Sequence, residues 1–100
     1  MIKSNAQIRI RFKTTAENGR NTAIEGIFYA CPLFVDGEAF DCRLLLNGQR
    51  LELGEYYEIP VIFLCPELVL PKLAIGKEVV LWEGKDVATG YVINLQPTTI

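Results

Sequence analysis

The chain has 100 residues, of which 50% are hydrophobic and 22% are charged, and its net charge is −2. This length fits one domain over residues 1–100, and this composition excludes a disordered protein. No apolar run approaches the ~20 residues that a membrane-spanning helix needs, and the N-terminus lacks the apolar segment of a signal peptide, so the expected location is the cytoplasm.

The first predicted element is the strand QIRIRFK, in which apolar and basic side chains alternate. Its apolar members are Ile8, Ile10 and Phe12, and its basic members are Arg9, Arg11 and Lys13. A polar loop, TTAENGRNTA, follows and is centred on Asn18-Gly19, a pair that accepts a left-handed backbone. The basic residues are concentrated at this end of the chain, and the remainder is acidic.

The middle of the chain is a series of apolar segments separated by turn signals. IEGIFYACPLF is the next apolar segment, and Cys31-Pro32 is expected to end its ladder. Asp36-Gly37 and Asn47-Gly48 mark turns on either side of another segment. EYYEIPVIFLC predicts a long strand, in which Pro60 indicates a sheet edge or a bulge because proline cannot donate a ladder hydrogen bond.

The C-terminal part predicts a hairpin. PELVLPKLAIGKEV is framed by prolines and ends in a turn, after which Val79–Trp82 and Val87–Leu95 form strands on either side of a Glu-Gly-Lys-Asp corner. No stretch shows the sustained 3.6-residue period of an amphipathic helix. Turn signals this frequent favour an all-β barrel or sandwich.

Several kinds of chemistry are excluded by what the sequence lacks. There is no histidine, so a Ser–His or Cys–His nucleophile pair cannot form. Cys31, Cys42 and Cys65 are scattered and odd in number, which predicts reduced thiols rather than a disulfide framework or a zinc site. No Walker A loop is present. We therefore expect a protein that is not an enzyme and that has no cofactor and no metal.

Three segments resemble the third, C-terminal β-barrel domain of elongation factor Tu. ENGRNTAIEG (Glu17–Gly26) is similar to the family's E-x-G-R-x-T loop and strand. LELGEYYEIPVIF resembles its central corner and alternating strand. AIGKEVVLWEGKDVATGYVINL resembles its closing pair, with Glu83-Gly84 at the turn and Thr89–Val92 in the last strand. The resemblance runs from about Ala6 to Leu95, which we take as the core of the domain.

This resemblance implies a small closed six-stranded antiparallel β-barrel without catalysis of its own. In the family, this domain contacts the T-stem of aminoacyl-tRNA, the GTPase domain and the exchange factor. Gly19, Arg20 and Thr22 match the family's Gly-Arg-x-Thr loop near the tRNA. The sequence departs from the family at YACP, where Cys31 replaces an arginine, and at Thr22-Ala23, where the family has Thr-Pro.

The expected function is a non-catalytic macromolecule-binding module whose partner is another protein. One alternative is an immunity or antitoxin protein that neutralises a toxin through acidic surface residues, which form a loop (Asp36, Glu38 and Asp41) and a second patch (Glu52, Glu55 and Glu58). A second alternative is binding of tRNA or other RNA, or of a partner, through Arg9, Arg11, Lys13, Gly19, Arg20 and Thr22. Alternate basic residues on a strand lie ~6–7 Å apart, close to the phosphate repeat. The ordinary interpretation of both sets is a solvated surface.

The strand patterns also predict which side chains form the core. The predicted core residues are Ile8, Ile10, Phe12, Phe28, Leu44, Val61, Phe63, Leu81, Val92 and Ile93. Trp82 is expected in the core, with an exposed aromatic anchor at an interface as the alternative.

Overall fold

The protein is a closed β-barrel. The computed structural model describes residues 4–95. Its strands are β1 (Ala6–Phe12), β2 (Phe28–Val35), β3 (Glu38–Leu45), β4 (Tyr56–Phe63), β5 (Glu78–Trp82) and β6 (Asp86–Leu95). They are arranged in the order β1-β4-β3-β2-β5-β6, and β6 pairs with β1. Every pairing is antiparallel, so the predicted all-β, closed six-stranded antiparallel barrel is confirmed.

The core is formed by alternate residues of the strands, except in β6, where adjacent Val87 and Ala88 are both buried at a register shift against β5. β1 follows the predicted pattern, because its apolar residues are buried while Arg9 and Arg11 lie on the outer surface. The predicted core residues that are buried are Ile8, Ile10, Phe12, Leu44, Val61, Phe63, Leu81 and Val92. The barrel interior is therefore filled by side chains, as expected for a small barrel.

Three aromatic or aliphatic residues do not lie where the sequence predicted. Phe28 is 52% exposed, because β2 directs its odd-numbered residues, such as Leu33, into the barrel. Ile93 is only half-buried, because it is the extra residue of a β-bulge between β6 and β1. Trp82 is 40% exposed, because its neighbour Leu81 occupies the inward position on β5.

Both strand prolines are accommodated without a free sheet edge. The prediction that Cys31-Pro32 ends the ladder holds for the β2–β5 pairing, which stops at Leu33 beside Pro32. It was wrong for the β2–β3 pairing, which continues through Pro32 to Val35. Pro60 lies neither at a sheet edge nor in a bulge; it pairs with β1, and the β3–β4 ladder stops beside it at Val61. Each ladder ends where proline has no N–H to extend it.

The strand connections close the two ends of the barrel. Residues 13–27, 46–55 and 83–85 cover one end, which we call the Arg20 end, where Ile24 and Leu51 form a bridge. The opposite end is covered by the Asp36-Gly37 turn and by residues 64–77, which include the short helix α1 (Pro66–Val69) and bury Leu73. We call this the α1 end. Of the helices in residues 4–95, none is long and apolar enough to cross a membrane.

Candidate functional site

The arginines of β1 are held in ion pairs. Arg9 lies 3.6 Å from the carboxylate of Glu58, and its guanidinium is 4.8 Å from the centre of the Tyr56 ring. Arg11 lies 3.0 Å from Glu17 and donates from Nε to the Gly54 carbonyl at 3.1 Å. Glu17 also accepts hydrogen bonds from Thr14, and these bonds, with Arg11, lower the pKa of its carboxyl group.

The loop that matches Gly-Arg-x-Thr is anchored to the barrel. Gly19 is buried against Lys13, and a Cβ at this position would lie 2.2 Å from the Lys13 carbonyl oxygen. Arg20 contacts both carboxylate oxygens of Glu83 at 2.7 Å, which ties the loop to the β5–β6 hairpin. Arg20 Nε also donates to the Thr22 carbonyl at 3.3 Å. The guanidinium of Arg20 is thus engaged within the protein.

A tyrosine completes the cluster around Glu83. The Arg20 guanidinium lies 5.5 Å from the centre of the Tyr29 ring, and the Tyr29 hydroxyl donates to Glu83. Burial, with this hydrogen bond, raises the pKa of the Tyr29 phenol. Tyr29 also makes an edge contact with Phe12, with ring centres 5.7 Å apart. Arg20 therefore joins the outer loop to the end of the core.

The predicted acidic residues lie in two groups at opposite ends of the barrel. Asp36 and Glu38 are at the α1 end, whereas Glu52 and Glu55 belong to the connection at the Arg20 end. Most of the six are paired: Asp36–Lys77 at 2.8 Å, Glu38–Lys72 at 2.8 Å, Glu52–Arg50 at 2.7 Å and Glu58–Arg9 at 3.6 Å. Asp41 and Glu55 have no ion-pair partner within residues 4–95. The fold does not bring the six together as one surface.

Four aromatic side chains and one valine lie on the outer wall of the barrel, and we call this group the aromatic face. Its members are Phe34, Tyr56, Val80, Trp82 and Tyr91. Tyr56 is 52% exposed, Trp82 40% and Tyr91 39%. The rings of Phe34 and Trp82 meet edge to face, with their centres 6.2 Å apart. Val80 pairs directly with Phe34 across β2 and β5, so the group is held by the sheet.

A shallow groove follows the aromatic face. One part of it lies between Tyr56 and Tyr91, and the other lies beside Phe34. Glu78 and Val80 line both parts, so the groove continues along the outer side of β5. Its floor is a regular sheet, which makes it a preformed surface for an extended ligand.

The charges around the aromatic face are unevenly neutralised. Ion pairs at its borders are Arg9–Glu58, Arg11–Glu17 and Lys77–Asp36. Glu78 and Asp86 also border the groove, and no Lys or Arg in the described part of the chain pairs with either. Glu78 lies directly opposite Tyr91, and Asp86 lies directly opposite Trp82. The surface is therefore both apolar and negatively charged.

Glu78, Val80 and Asp86 were not among the site residues predicted from the sequence. The sequence did contain an indication of this surface. Glu78, Val80 and Trp82 alternate with Val79 and Leu81 along β5, so they lie on the opposite side of the strand from those two. The charged member of the first set indicates which side of the strand faces water. The contribution of β2 to the same surface has no such signal, since it depends on the β2–β5 register.

The cysteines are distributed between the core and the surface. Cys31 and Cys42 are buried and directly opposite each other on β2 and β3, and Cys65 is exposed. The contact with Cys31 and the burial of the side chain raise the pKa of the Cys42 thiol. Across residues 4–95, no group of three or more His, Cys, Asp or Glu side chains is placed to hold a metal ion.

No protein-family model matches this chain, and no curated protein matches it at a significant level. The candidate site is therefore defined by geometry alone. It is an exposed groove with aromatic residues on the barrel wall, lined also by Glu78 and Asp86, which have no ion-pair partner in the described chain.

Proposed function

We propose that this protein is a non-catalytic binding module that holds another protein on the aromatic face. The observation that carries the proposal is the exposure of Tyr56 and Tyr91 along the groove and of Trp82 beside it, where Trp82 packs on Phe34. Aromatic residues are enriched in protein interfaces, and tryptophan and tyrosine are frequent among the residues that dominate binding energy. They bury a large area while losing few rotamers.

The rigidity of the wall supports the same proposal. Phe34 and Val80 are fixed by direct pairing of β2 with β5, and Val80 pairs in turn with Thr89 on β6. A surface that is already ordered avoids part of the entropy cost of association. The closed barrel also supports the likeness to the third domain of elongation factor Tu, and that likeness remains part of the proposal.

The basic residues of β1 favour a protein partner over RNA. Arg9 and Arg11 are engaged with Glu58 and Glu17, so a phosphate would have to displace a carboxylate from each. Arg20 is engaged by both oxygens of Glu83. Each displacement reduces the gain from a phosphate contact.

Affinity capture from a lysate of the source cells tests the proposal. The bait is the full chain in three forms: wild type, Trp82→Ala/Tyr91→Ala, and the control Ile27→Ala/Phe28→Ala. The control removes two other exposed apolar side chains, and Phe28 lies ~16 Å along β2 from Leu33, which pairs with Leu81 beside Trp82.

We expect a specific protein to be retained by the wild type and by the control, with or without nuclease, and to be lost from the Trp82→Ala/Tyr91→Ala bait. Loss of one hot-spot aromatic typically weakens binding by 2 kcal/mol or more, about thirtyfold. Capture that disappears with nuclease, or that both double variants weaken equally, would contradict the proposal.

A further inference from the structure

We infer that the segment held on the aromatic face is basic: an extended stretch of a partner protein that carries lysine or arginine side chains. This inference rests on the proposed function and specifies the chemistry of the partner. It follows from the charge that remains on the face after the internal ion pairs are formed.

The basic residue that lines the groove, Lys77, and the two arginines of β1 beside it are held in ion pairs. Arg9 of β1 pairs with Tyr91 of β6, but its guanidinium is directed elsewhere. It lies 4.8 Å from the centre of the Tyr56 ring and 3.6 Å from the Glu58 carboxylate. Lys77 lies 2.8 Å from Asp36. Arg11 is likewise paired with Glu17, as described above. An acidic partner would therefore find no cation lining the groove without first breaking the Lys77–Asp36 pair. Lys13 and Lys85 are in no ion pair within residues 4–95, but both belong to the connections at the Arg20 end and line neither part of the groove.

The carboxylates along the groove remain available. Glu78 and Asp86 are exposed, and neither has an ion-pair partner among residues 4–95. Asp86 lies opposite Trp82, four residues along β5 from Glu78, so the two positions are roughly 13 Å apart along the strand. That separation matches side chains four residues apart on one face of an extended segment.

The protein itself shows how such positions bind a cation. Within the described chain, arginine lies over a tyrosine ring and beside a carboxylate in two places: Arg9 with Tyr56 and Glu58, and Arg20 with Tyr29 and Glu83. On the aromatic face, Tyr91 is opposite Glu78 and Trp82 is opposite Asp86. These positions also place a carboxylate beside an aromatic ring, and no guanidinium within residues 4–95 lies over either ring, since that of Arg9 is directed to Tyr56. A guanidinium there would gain a cation–π contact and an ion pair together.

Trp82 gives a direct measurement, because it is the only tryptophan in the chain. Its fluorescence is recorded while the full chain is titrated with a short peptide in which arginine and threonine alternate. A peptide of alternating glutamate and threonine and a single-stranded polyuridylate are titrated in parallel. The variants are Glu78→Gln/Asp86→Asn and the matched control Glu55→Gln/Glu67→Gln, which removes two exposed carboxylates that also lack an ion-pair partner in residues 4–95.

We expect the arginine peptide to change the Trp82 emission, with an affinity that falls as salt is added. The Glu78→Gln/Asp86→Asn variant should bind about five- to tenfold more weakly, and the control less than about twofold more weakly, since exposed ion pairs contribute modestly and locally.

Three results would overturn the inference: no response to the arginine peptide, equal weakening in both variants, or preferential binding of the glutamate peptide or of polyuridylate. The lysate experiment separates this failure from failure of the proposed function. If Trp82→Ala/Tyr91→Ala still loses a captured protein while the arginine peptide does not bind, the face binds a partner of other chemistry and only the inference fails.

Discussion

Phe12 and Phe28 show how strand parity decides the position of one residue type. Phe12 ends β1 on its inward side and is fully buried against Tyr29. Phe28 begins β2 on its outward side, 52% exposed and 5.7 Å from the guanidinium of Arg43. Phe12 lies in the alternating segment QIRIRFK, whose basic residues mark the outer side, whereas Phe28 lies in an apolar run that does not indicate which side faces the core.

Replacing these two phenylalanines should have different consequences for stability. Phe12→Ala leaves a cavity in a closed barrel that cannot easily collapse, so we expect a loss of about 3–5 kcal/mol in the free energy of unfolding. Phe28→Ala should cost less than about 1 kcal/mol, because the ring is outside the core and its contact with Arg43 is exposed. Urea unfolding curves measure both. Similar losses in the two variants would mean that the β2 register is shifted.

At the scale of strands and turns, the sequence predicted regular elements and missed local irregularities. The alternation of QIRIRFK predicted β1, and Asp36-Gly37 predicted a turn whose residues both have positive φ. The bulge at Ile93 was not predictable, because an extra residue leaves no mark in an apolar run. The short α1 was missed because four residues carry too little periodicity for recognition.

Gly90 is required where the last strand meets the first. A Cβ at Gly90 would lie 2.0 Å from the Arg9 carbonyl oxygen, so β1 and β6 can approach only with glycine here. We expect Gly90→Ala to cost about 3 kcal/mol or more in the free energy of unfolding, because the clash is with backbone. The control Thr89→Ala, an exposed neighbour, should change it by less than about 1 kcal/mol. Urea unfolding of both variants tests this, and a Gly90→Ala variant of wild-type stability would contradict so close an approach.

At the scale of the whole molecule, the candidate site is assembled from distant parts of the sequence. Phe34 meets Trp82 because β2 pairs with β5, and Tyr56 lines the groove with Tyr91 because β1 joins β4 to β6 in the closed order. The alternation of apolar and polar residues predicts each strand separately, whereas the order of the strands depends on pairing between distant parts of the chain. For that reason the sequence indicated a barrel but did not indicate this surface, and Trp82 was expected inside.

The closed core should protect two thiols from reagents until the barrel opens. In the native protein, exposed Cys65 should react rapidly with a colorimetric disulfide reagent, while buried Cys31 and Cys42 should react only as the protein unfolds. In urea, all three cysteines of the chain should react together. Cys65→Ser should remove the fast phase of the thiol reaction and leave the slow phase, which belongs to Cys31 and Cys42. Rapid reaction of all three thiols in the absence of urea would show that the core opens locally.

The pairing of β1 with β6 has a consequence for how the chain can be reconnected. Ala6 pairs with Leu95, so the outer ends of the first and last strands are adjacent at the α1 end. A short linker between them would turn the barrel into a continuous ring, and new termini could be opened at the Asp36-Gly37 turn without moving any strand. The barrel is therefore suited to circular permutation: its architecture specifies the cyclic order of the strands but leaves open which of them is translated first.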